Sequence, residues 1–509
     1  MDKPPSIETH GIDSNQSHRA KSRSRRRVRR RVPPLLIVLF FASLVRLFLW
    51  GWFSGLPTRV IAENGNQEQA HSLTDLAFKS PLRIWDEKEY DVLARSLVDY
   101  AEFSYNIGEP ASLRPPLYPL FLSIVYQVFG VGNYQAVRAF QAGLSLVLVV
   151  LLYDLGTQVY NRGIGLCGAG LYAFYPSLLV DNNLILTEVL FTFFLTAAVW
   201  ALVRAFPRSS FAWLVGSGIL FGLGALTRSV LWVFIPVLSA YVLAVWDGPW
   251  KSRVLASASI FLAAALTIAP WAIRNTMLEK TFLTIDSMGG RNLMMGNYEY
   301  TPMHGSWKTI EIKGEHSWDA VLGREEPSSL SATQGQKDKI AMRYALRYVL
   351  THPLQTAQRD VVKFFDFWGL ERELIAGASR GWFGRIPKVG VWGLAAVIIG
   401  FYVAGLFLGI FGALVSPPND RRVFGLFLLV IGFVCAMHTL AFGHSRYHLP
   451  LMPLILIFAG AAVGRTMKIW TARGRRSFAL AVLLSGVFMV VWACNLFFID
   501  NQLVSDFAM

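Results

Sequence analysis

Long apolar runs recur along the whole chain and decide what it can fold into. The 509 residues are 54% hydrophobic and only 16% charged, whereas about a quarter of residues are charged in a soluble protein. A helix needs roughly 17–25 apolar residues to cross a bilayer. Eleven runs have that length: 34–53, 135–156, 162–180, 184–203, 211–227, 229–246, 254–273, 390–414, 422–442, 447–464 and 477–498. The sequence therefore predicts an all-α polytopic membrane protein with about eleven transmembrane helices.

The net charge of +15 is concentrated where it orients the chain. Much of it lies between Arg19 and Arg31, immediately before the first apolar run. Such a cluster holds an N-terminus in the cytoplasm and contacts anionic lipid. A tail that binds nucleic acid has the same composition, but this position favours the membrane. The long basic tail also favours an uncleaved anchor over a signal peptide. The three cysteines all lie in apolar runs, so no disulfide framework is indicated.

One apolar stretch, residues 117–130, is too short to cross and is expected to lie in the interface. With that choice every short basic loop falls in the cytoplasm, as the positive-inside rule demands. The chain then divides into a basic cytoplasmic tail (1–33) and an N-terminal transmembrane catalytic module (34–273, with an outer loop at 54–114). A large extracytoplasmic loop (274–389) and a C-terminal transmembrane segment (390–509) follow.

Both outer loops are expected to contain interfacial helices. In the large loop, residues 287–292 are rich in turn formers, and residues 337–350 form a helical pattern that ends before His352-Pro353. Residues 355–370 mix charges with four aromatic side chains, which is typical of a helix lying on the membrane surface.

The first outer loop contains an acidic helical segment, Trp85 to Leu97. At about 100° per residue, Asp86 and Tyr90 fall on the apolar packing face, Glu87 falls towards its edge, and Asp91 falls on the opposite, polar face. A carboxylate on a packing face costs stability unless it is paired or used. A favourable charge at a helix N-terminus is the simpler interpretation of the same pattern.

Five arginines map to the outer ends of the predicted spans, where orientation does not require them: Arg114, Arg138, Arg228, Arg274 and Arg446. Any one of them could extend to the lipid headgroups. Five on one side instead indicate an anion site, because guanidinium groups bind phosphate in a bidentate manner and stay charged.

Glu188 and His444 are further candidates at the same level. Glu188 lies inside apolar sequence after the turn Asp181-Asn182-Asn183, so it needs an arginine, a metal or a substrate hydroxyl as partner. His444 and His448 have the spacing of metal ligands, although hydrogen bonding or packing is the commoner role. No phosphate-binding loop, dinucleotide fingerprint or HExxH motif occurs, so nothing indicates cytoplasmic nucleotides.

The ordered motifs resemble the membrane-embedded C-type glycosyltransferases, the family of protein O-mannosyltransferases and lipid A aminoarabinose transferases. The matching pieces are Asp86-Glu87-Lys88-Glu89-Tyr90-Asp91-Val92-Leu93-Ala94, Arg114-Pro115-Pro116-Leu117-Tyr118-Pro119-Leu120, Leu186-Thr187-Glu188, Gly224-Ala225-Leu226-Thr227-Arg228, Pro270-Trp271-Ala272-Ile273-Arg274-Asn275 and Arg446-Tyr447-His448-Leu449-Pro450. The resemblance implies an inner-membrane enzyme with an extracytoplasmic active site and a polyprenyl-phosphate-linked sugar as donor. It also implies that Asp86 is the catalytic base, Glu87 its acidic neighbour and Arg114 a ligand of the lipid phosphate.

The predicted function is therefore the transfer of a sugar from a polyprenyl-phosphate donor to an extracytoplasmic glycan, lipid or protein, by inverting single displacement. Glu188, Tyr90 and His444 are expected to support the acceptor or a metal, and a divalent ion would fit if Asp86, Glu87 and Glu188 converge. No cofactor is otherwise expected, and the partners are membrane lipids rather than nucleic acid. The alternatives are a lipid or solute transporter, which usually keeps its charges near the bilayer midplane, and a non-catalytic envelope scaffold.

Overall fold

The computed structural model describes residues 33–55, 82, 85–384, 386–464 and 472–499. The basic tail predicted for residues 1–33 lies outside these residues except for Pro33, and so does most of the segment between residues 55 and 85. The described part of the chain is almost entirely helical, apart from a two-stranded antiparallel hairpin.

Eight of the described helices are long and apolar enough to cross a membrane: Pro34–Phe53, Tyr134–Val159, Glu188–Arg208, Trp250–Glu279, Lys388–Val415, Arg421–Leu440, Ser445–Gly464 and Gly474–Phe497. Three shorter apolar helices are Leu117–Phe129, Phe211–Thr227 and Val230–Val245. The predicted class, an all-α polytopic membrane protein, is confirmed.

In chain order the helices are α1 (Pro34–Gly55), α2 (Trp85–Tyr100), α3 (Leu117–Phe129), α4 (Tyr134–Val159), α5 (Arg162–Ala173), α6 (Pro176–Asp181), α7 (Glu188–Arg208), α8 (Phe211–Thr227), α9 (Val230–Val245), α10 (Trp250–Glu279), α11 (Gly289–Gly296), α12 (Trp318–Glu325), α13 (Gln334–Thr351), α14 (Pro353–Phe367), α15 (Glu373–Ser379), α16 (Lys388–Val415), α17 (Arg421–Leu440), α18 (Met452–Gly464) and α19 (Ala472–Cys494). The strands are β1 (Ser104–Asn106) and β2 (Glu109–Pro110). Short 3₁₀ helices lie at Ser306–Glu311, Gly314–His316, Pro327–Leu330 and Ser445–Leu451.

The span predicted at 162–180 is broken in the structure. Helix α5 ends at Ala173 and α6 starts at Pro176, with Tyr175 between them in an extended conformation. Proline cannot donate the helical hydrogen bond, and its ring disfavours a helical conformation for the residue before it. The next helix also starts later than predicted, at Glu188, because residues 182–187 form an irregular turn.

Helix α3 has 13 residues, which corresponds to about 20 Å at 1.5 Å per residue. This length is shorter than the roughly 30 Å hydrocarbon core. The bounds agree with the segment predicted at 117–130. Its placement in the interface stays a prediction.

The large outer loop has its own small hydrophobic core, built from Met294, Tyr298, Leu322, Ala341 and neighbouring residues. Helix α13 covers the predicted segment and starts with a capping box, in which Thr333 and Gln336 satisfy each other's backbone N–H groups. The stretch at 287–292 is not a series of turns, because α11 starts at Gly289. Its glycines permit close packing: a Cβ atom at Gly290 would collide with the Asp338 carbonyl oxygen, and one at Gly296 with that of Ala441.

Helix α14 covers the segment that was predicted to lie on the membrane surface. Leu354 and Val361 are exposed, as on a surface helix, but Phe367 and the following Trp368 belong to the main hydrophobic core. The Lys363 side chain is fully buried, and its Nζ donates to Asn297 Oδ1 at 3.1 Å and to the Leu440 carbonyl at 3.3 Å. Helix α14 therefore contacts the end of α17, and its position on the membrane surface stays a prediction.

Candidate active site

Asp86 lies between two arginines that come from distant parts of the chain. Its Oδ1 accepts a hydrogen bond from Arg114 Nη2 at 2.8 Å, and its Oδ2 accepts one from Arg446 Nη2 at 2.9 Å. Asp86 is in the first turn of α2, Arg114 is just before α3, and Arg446 is in the 3₁₀ helix after α17. The site thus joins the first outer loop to the C-terminal transmembrane segment.

The ion pairs continue on both sides of Asp86. Arg446 also donates through Nε to Glu188, which accepts a second hydrogen bond from Arg228 Nη2 at 2.9 Å. On the other side, Arg114 Nε donates to Glu89 at 2.7 Å. Three carboxylates and three guanidinium groups alternate in this chain of contacts. Their charges cancel, which limits the cost of burying them.

Breaks in the helices place these side chains. Glu188 is the first residue of α7, where a carboxylate interacts favourably with the helix dipole. Arg228 is the extended residue that ends α8, and its Nε donates to the Thr187 hydroxyl at 2.9 Å. Because residues at helix ends are not tied to one face of a helix, their side chains can point into the site.

The electrostatics favour an ionised Asp86. Burial raises the pKa of its carboxyl group, but the charges of Arg114 and Arg446 outweigh burial and hold the pKa well below its usual range. Burial raises the pKa of the neighbouring Tyr90 to about 12, although Arg114 opposes the shift, so its phenol is neutral. Tyr90 packs edge-on against Tyr118, and the Arg114 guanidinium lies 5.6 Å from its ring centre.

The buried face of α2 differs from the predicted one. Glu87 is 3% exposed and its carboxylate accepts from the Ile185 N–H at 2.8 Å, whereas the Asp86 side chain is 27% exposed. Asp91, placed on the polar face by periodicity, is buried and accepts from the hydroxyls of Tyr126 and Tyr134. The assignment was wrong because hydroxyl and backbone donors satisfy these carboxylates inside the protein. Glu87 fixes the turn before α7.

The other two candidate arginines, Arg138 and Arg274, donate hydrogen bonds to backbone carbonyl groups. Arg138 Nε donates to the Asn183 carbonyl at 2.9 Å, and its guanidinium lies over Phe53. Arg274 Nη1 donates to the Ala111 carbonyl at 2.6 Å, and its guanidinium lies 4.5 Å from the Trp271 ring centre. The structure therefore gives both of these arginines contacts with backbone carbonyls and aromatic rings.

His444 positions Arg446. Its Nδ1 accepts a hydrogen bond from the Arg446 N–H at 3.1 Å, and its ring packs edge-on against Trp307. Burial, and after it the positive charge of Arg446, lowers the pKa of His444 to about 3, so the ring is neutral. His448 is separate, with Nδ1 2.7 Å from the Phe367 carbonyl and Nε2 3.1 Å from Glu371.

Asp86, Glu87 and Glu188 do not converge on a common point, so they do not form the predicted oxygen-rich metal site. Asp86 and Glu188 are both held by Arg446, and Glu87 binds the Ile185 N–H. Within residues 33–55, 82, 85–384, 386–464 and 472–499, no group of three or more histidine, cysteine or acidic side chains could hold a metal ion. We derive no metal-dependent step.

Asp286 is a carboxylate of this region that the sequence analysis did not select. The backbone N–H of the adjacent Ser287 donates to the Ser112 carbonyl at 3.1 Å, which places Asp286 close to Arg114. Burial, and also the charge of Asp338, raises the pKa of Asp286 to about 6, although a hydrogen bond from Ser229 lowers it. Its position immediately before the stretch at 287–292 was the available signal.

One protein-family model matches a segment of the chain that contains part of this site. Residues 113–273 match the family model described as dolichyl-phosphate-mannose-protein mannosyltransferase. The match supports the resemblance drawn from the sequence motifs. It includes Arg114, Glu188 and Arg228, whereas Asp86 and Arg446 lie on either side of the matched region. No curated protein sequence matches the chain.

Among solved structures, the chain is similar to the archaeal oligosaccharyltransferase AglB from Archaeoglobus fulgidus in complex with an inhibitory peptide and a dolichol-phosphate. The identity is 15% and the TM-score 0.48, over 88% of this chain and 54% of that one. It is also similar to ArnT from Cupriavidus metallidurans bound to undecaprenyl phosphate, with 14% identity and a TM-score of 0.36 over 85% of this chain and 78% of that one. The chain thus spans about half the length of the oligosaccharyltransferase.

Proposed function

We propose that this protein is a membrane glycosyltransferase that transfers a sugar from a polyprenyl-phosphate donor to an extracytoplasmic acceptor. The observation that carries the proposal is the alternation of Arg114, Asp86 and Arg446, in a chain whose residues 113–273 match a mannosyltransferase family. The arginines supply anion-binding groups beside a carboxylate that can accept a proton. Both are needed for transfer from a lipid phosphate.

In this mechanism the donor phosphate takes over the guanidinium groups of Arg114 and Arg446. Arginine binds phosphate through paired N–H donors, and these hydrogen bonds are strong because both partners are charged. As the bond between the sugar and the phosphate breaks, negative charge grows on the leaving phosphate and the arginines stabilise it. Arg228 supports them through Glu188, which it shares with Arg446.

Withdrawal of the two arginines leaves Asp86 free to act as the base. The acceptor hydroxyl attacks the anomeric carbon, its proton goes to Asp86, and the polyprenyl phosphate departs with the bonding electron pair. One displacement inverts the anomeric configuration. In this proposal Glu87 positions the turn before α7, and Arg138 and Arg274 stabilise the outer loops around the site.

The N-terminus lies in the cytoplasm and the site faces the extracytoplasmic side in the proposed orientation, which the positive-inside rule supports. The lipid tail of the donor then remains in the bilayer while its phosphate reaches the arginines. The acceptor is a glycan, lipid or protein on that side.

The test is incubation of the purified protein with defined polyprenyl-phospho-sugars and a mixture of envelope acceptors, with released polyprenyl phosphate as the readout. The expected result is release that depends on the acceptor. Movement of the intact donor across the bilayer of a vesicle without release would overturn the proposal in favour of a transporter.

A further inference from the structure

The backbone around Arg446 is fixed to helix α14 at two points. At Gly443, a Cβ atom would come within 1.9 Å of the Lys363 carbonyl oxygen, so only glycine permits this approach. After Arg446, the Nδ1 atom of His448 lies 2.7 Å from the Phe367 carbonyl oxygen. Lys363 and Phe367 are about one helical turn apart on α14. The two contacts therefore hold the backbone on either side of Arg446 against one turn of this helix.

The contact between His448 and Glu371, both of which are buried, requires a proton between them. A carbonyl oxygen only accepts hydrogen bonds, so His448 Nδ1 is the donor to Phe367. The other ring nitrogen, Nε2, lies 3.1 Å from Glu371 Oε1. Without a proton on either atom, the lone pair of the nitrogen would face those of a carboxylate. The geometry therefore joins the two side chains through one proton, while the ring of His448 also stacks on Tyr402, with 4.7 Å between the ring centres.

Glu371 connects this histidine to the break between α5 and α6. It accepts a hydrogen bond from the Tyr175 hydroxyl at 2.6 Å and another from the Ser177 hydroxyl. These two residues lie on either side of Pro176, where the apolar run is interrupted. The broken helix, the loop after α14 and the segment that contains Arg446 are thus held together through one buried carboxyl group.

The proposed reaction needs such a fixed backbone at Arg446. In the structure the guanidinium contacts Asp86 and Glu188. In the proposed mechanism it leaves Asp86 and binds the donor phosphate, so contacts of the side chain cannot hold the backbone in both states. The contacts of Gly443 and His448 do not involve the guanidinium, so the exchange of partners leaves them intact.

We propose that His448 and Glu371 are positioning residues that act on the transfer reaction through Arg446. The assignment rests on the proposed function. The pair fixes the 3₁₀ helix at Ser445–Leu451, so that the guanidinium reaches the leaving phosphate from one constant place. In this role neither side chain touches the substrate. A misplacement of about 1 Å at a catalytic group can cost about 100-fold in rate, so a partial loss of the pair is measurable.

The experiment is a double-mutant cycle on the full-length protein in detergent, with release of undecaprenyl phosphate from undecaprenyl-phosphate-linked hexoses as the readout. His448→Asn is too short to reach Glu371, and Glu371→Leu removes the carboxyl group. We expect each to lower kcat/KM for the donor about tenfold. In an Arg446→Lys background, each should cost about twofold or less, because an ammonium group has no plane to orient. Glu371→Gln, whose amide can donate to His448 Nε2, should recover most of the activity.

Tyr402→Phe is the matched control, because it removes the hydrogen bond to the Trp368 carbonyl in the same core and keeps the ring that stacks on His448. It should lower the melting temperature and leave kcat/KM unchanged. The same pattern in His448→Asn would overturn the positioning role, and this variant carries the test if Glu371→Leu does not fold. An equal loss in the wild-type and Arg446→Lys backgrounds would also overturn it and leave the glycosyltransferase proposal intact. A wild type that releases no undecaprenyl phosphate would instead remove the proposed function and this role together.

Discussion

Arg446 Nη2 lies 2.9 Å from Asp86 Oδ2, although 360 positions separate the two residues along the chain. This contact joins the 3₁₀ helix at Ser445–Leu451 to helix α2. It also gives Asp86 two arginine partners, since Arg114 binds its other oxygen. The consequences for catalysis, donor binding and stability can be tested separately.

Replacement of Asp86 by asparagine should abolish sugar transfer while the protein stays folded. The amide retains the size of the side chain but cannot accept a proton, and loss of a general base typically costs 10²–10⁴-fold. We expect at least a roughly 100-fold fall in released polyprenyl phosphate. Asp99→Asn on the same helix should retain activity. Wild-type rates in Asp86→Asn would remove Asp86 from the role of base.

Arg228→Ala should weaken donor use more than acceptor use. Arg228 holds Glu188, which in turn positions Arg446. Loss of a hydrogen bond between charged groups typically costs 1.5–3 kcal/mol, so the KM for the donor should rise about tenfold or more. Arg114→Ala should act in the same direction. The exposed Arg343→Ala is the control, and a donor KM unchanged in both site variants would indicate that these arginines only form ion pairs with the neighbouring carboxylates.

Glu188→Ala should lower the free energy of unfolding. The Glu188 side chain is 1% exposed and balances both Arg228 and Arg446. Removal of one partner from a buried ion pair typically costs 3–5 kcal/mol, because the remaining charges stay buried. Thermal unfolding in detergent measures the loss, with the exposed Glu311→Ala as reference. Equal melting temperatures for the two variants would contradict the buried network.

Asp286→Asn should stabilise the protein at neutral pH and have little effect in acid. The pKa of Asp286 is about 6 in the folded protein, and an unfolded aspartate titrates near about 3.9. The folded state therefore binds more protons between these values, and stability falls as pH rises through 6. Asp286→Asn removes this loss of folding free energy, which reaches about 3 kcal/mol above pH ~7. Melting curves at several pH values measure it, and a gain that does not depend on pH would be a contradiction.

Tags at residues 310 and 472 should report opposite sides of the membrane. Residue 310 lies in the large loop at 274–389, and residue 472 starts α19 after the basic loop. Accessibility to a membrane-impermeant reagent distinguishes the two positions. Labelling of both from the same side would overturn the assigned topology.

Sequence reasoning predicted the fold class because apolar runs are a direct requirement of the bilayer. It also selected Asp86, Arg114, Glu188, Arg228 and Arg446, since charged groups at the ends of spans are costly and stand out against their surroundings. The structure brings these five together. The roles assigned to them stay predictions.

Periodicity failed where tertiary contacts override it. Glu87 and Asp91 are buried because donors from other elements reach them, in addition to the ion pair that Arg95 forms with Asp91 within α2. The same limit applies to Asp286, whose environment depends on Ser112, Ser229 and Asp338. Pro176 itself indicates the break between α5 and α6, but it lies inside a long apolar run that was predicted to be one span.

The separation of Asp86 from Arg446 has a consequence for biosynthesis. At about 5–20 residues per second, a ribosome needs tens of seconds to add the residues between them. Until then the nascent chain already contains two sets of ion-pair partners, Asp86 and Glu89 with Arg114, and Glu188 with Arg228. Each early carboxylate has a partner before Arg446 emerges. The last arginine therefore joins two preassembled halves, so translation of the C-terminal segment completes the site.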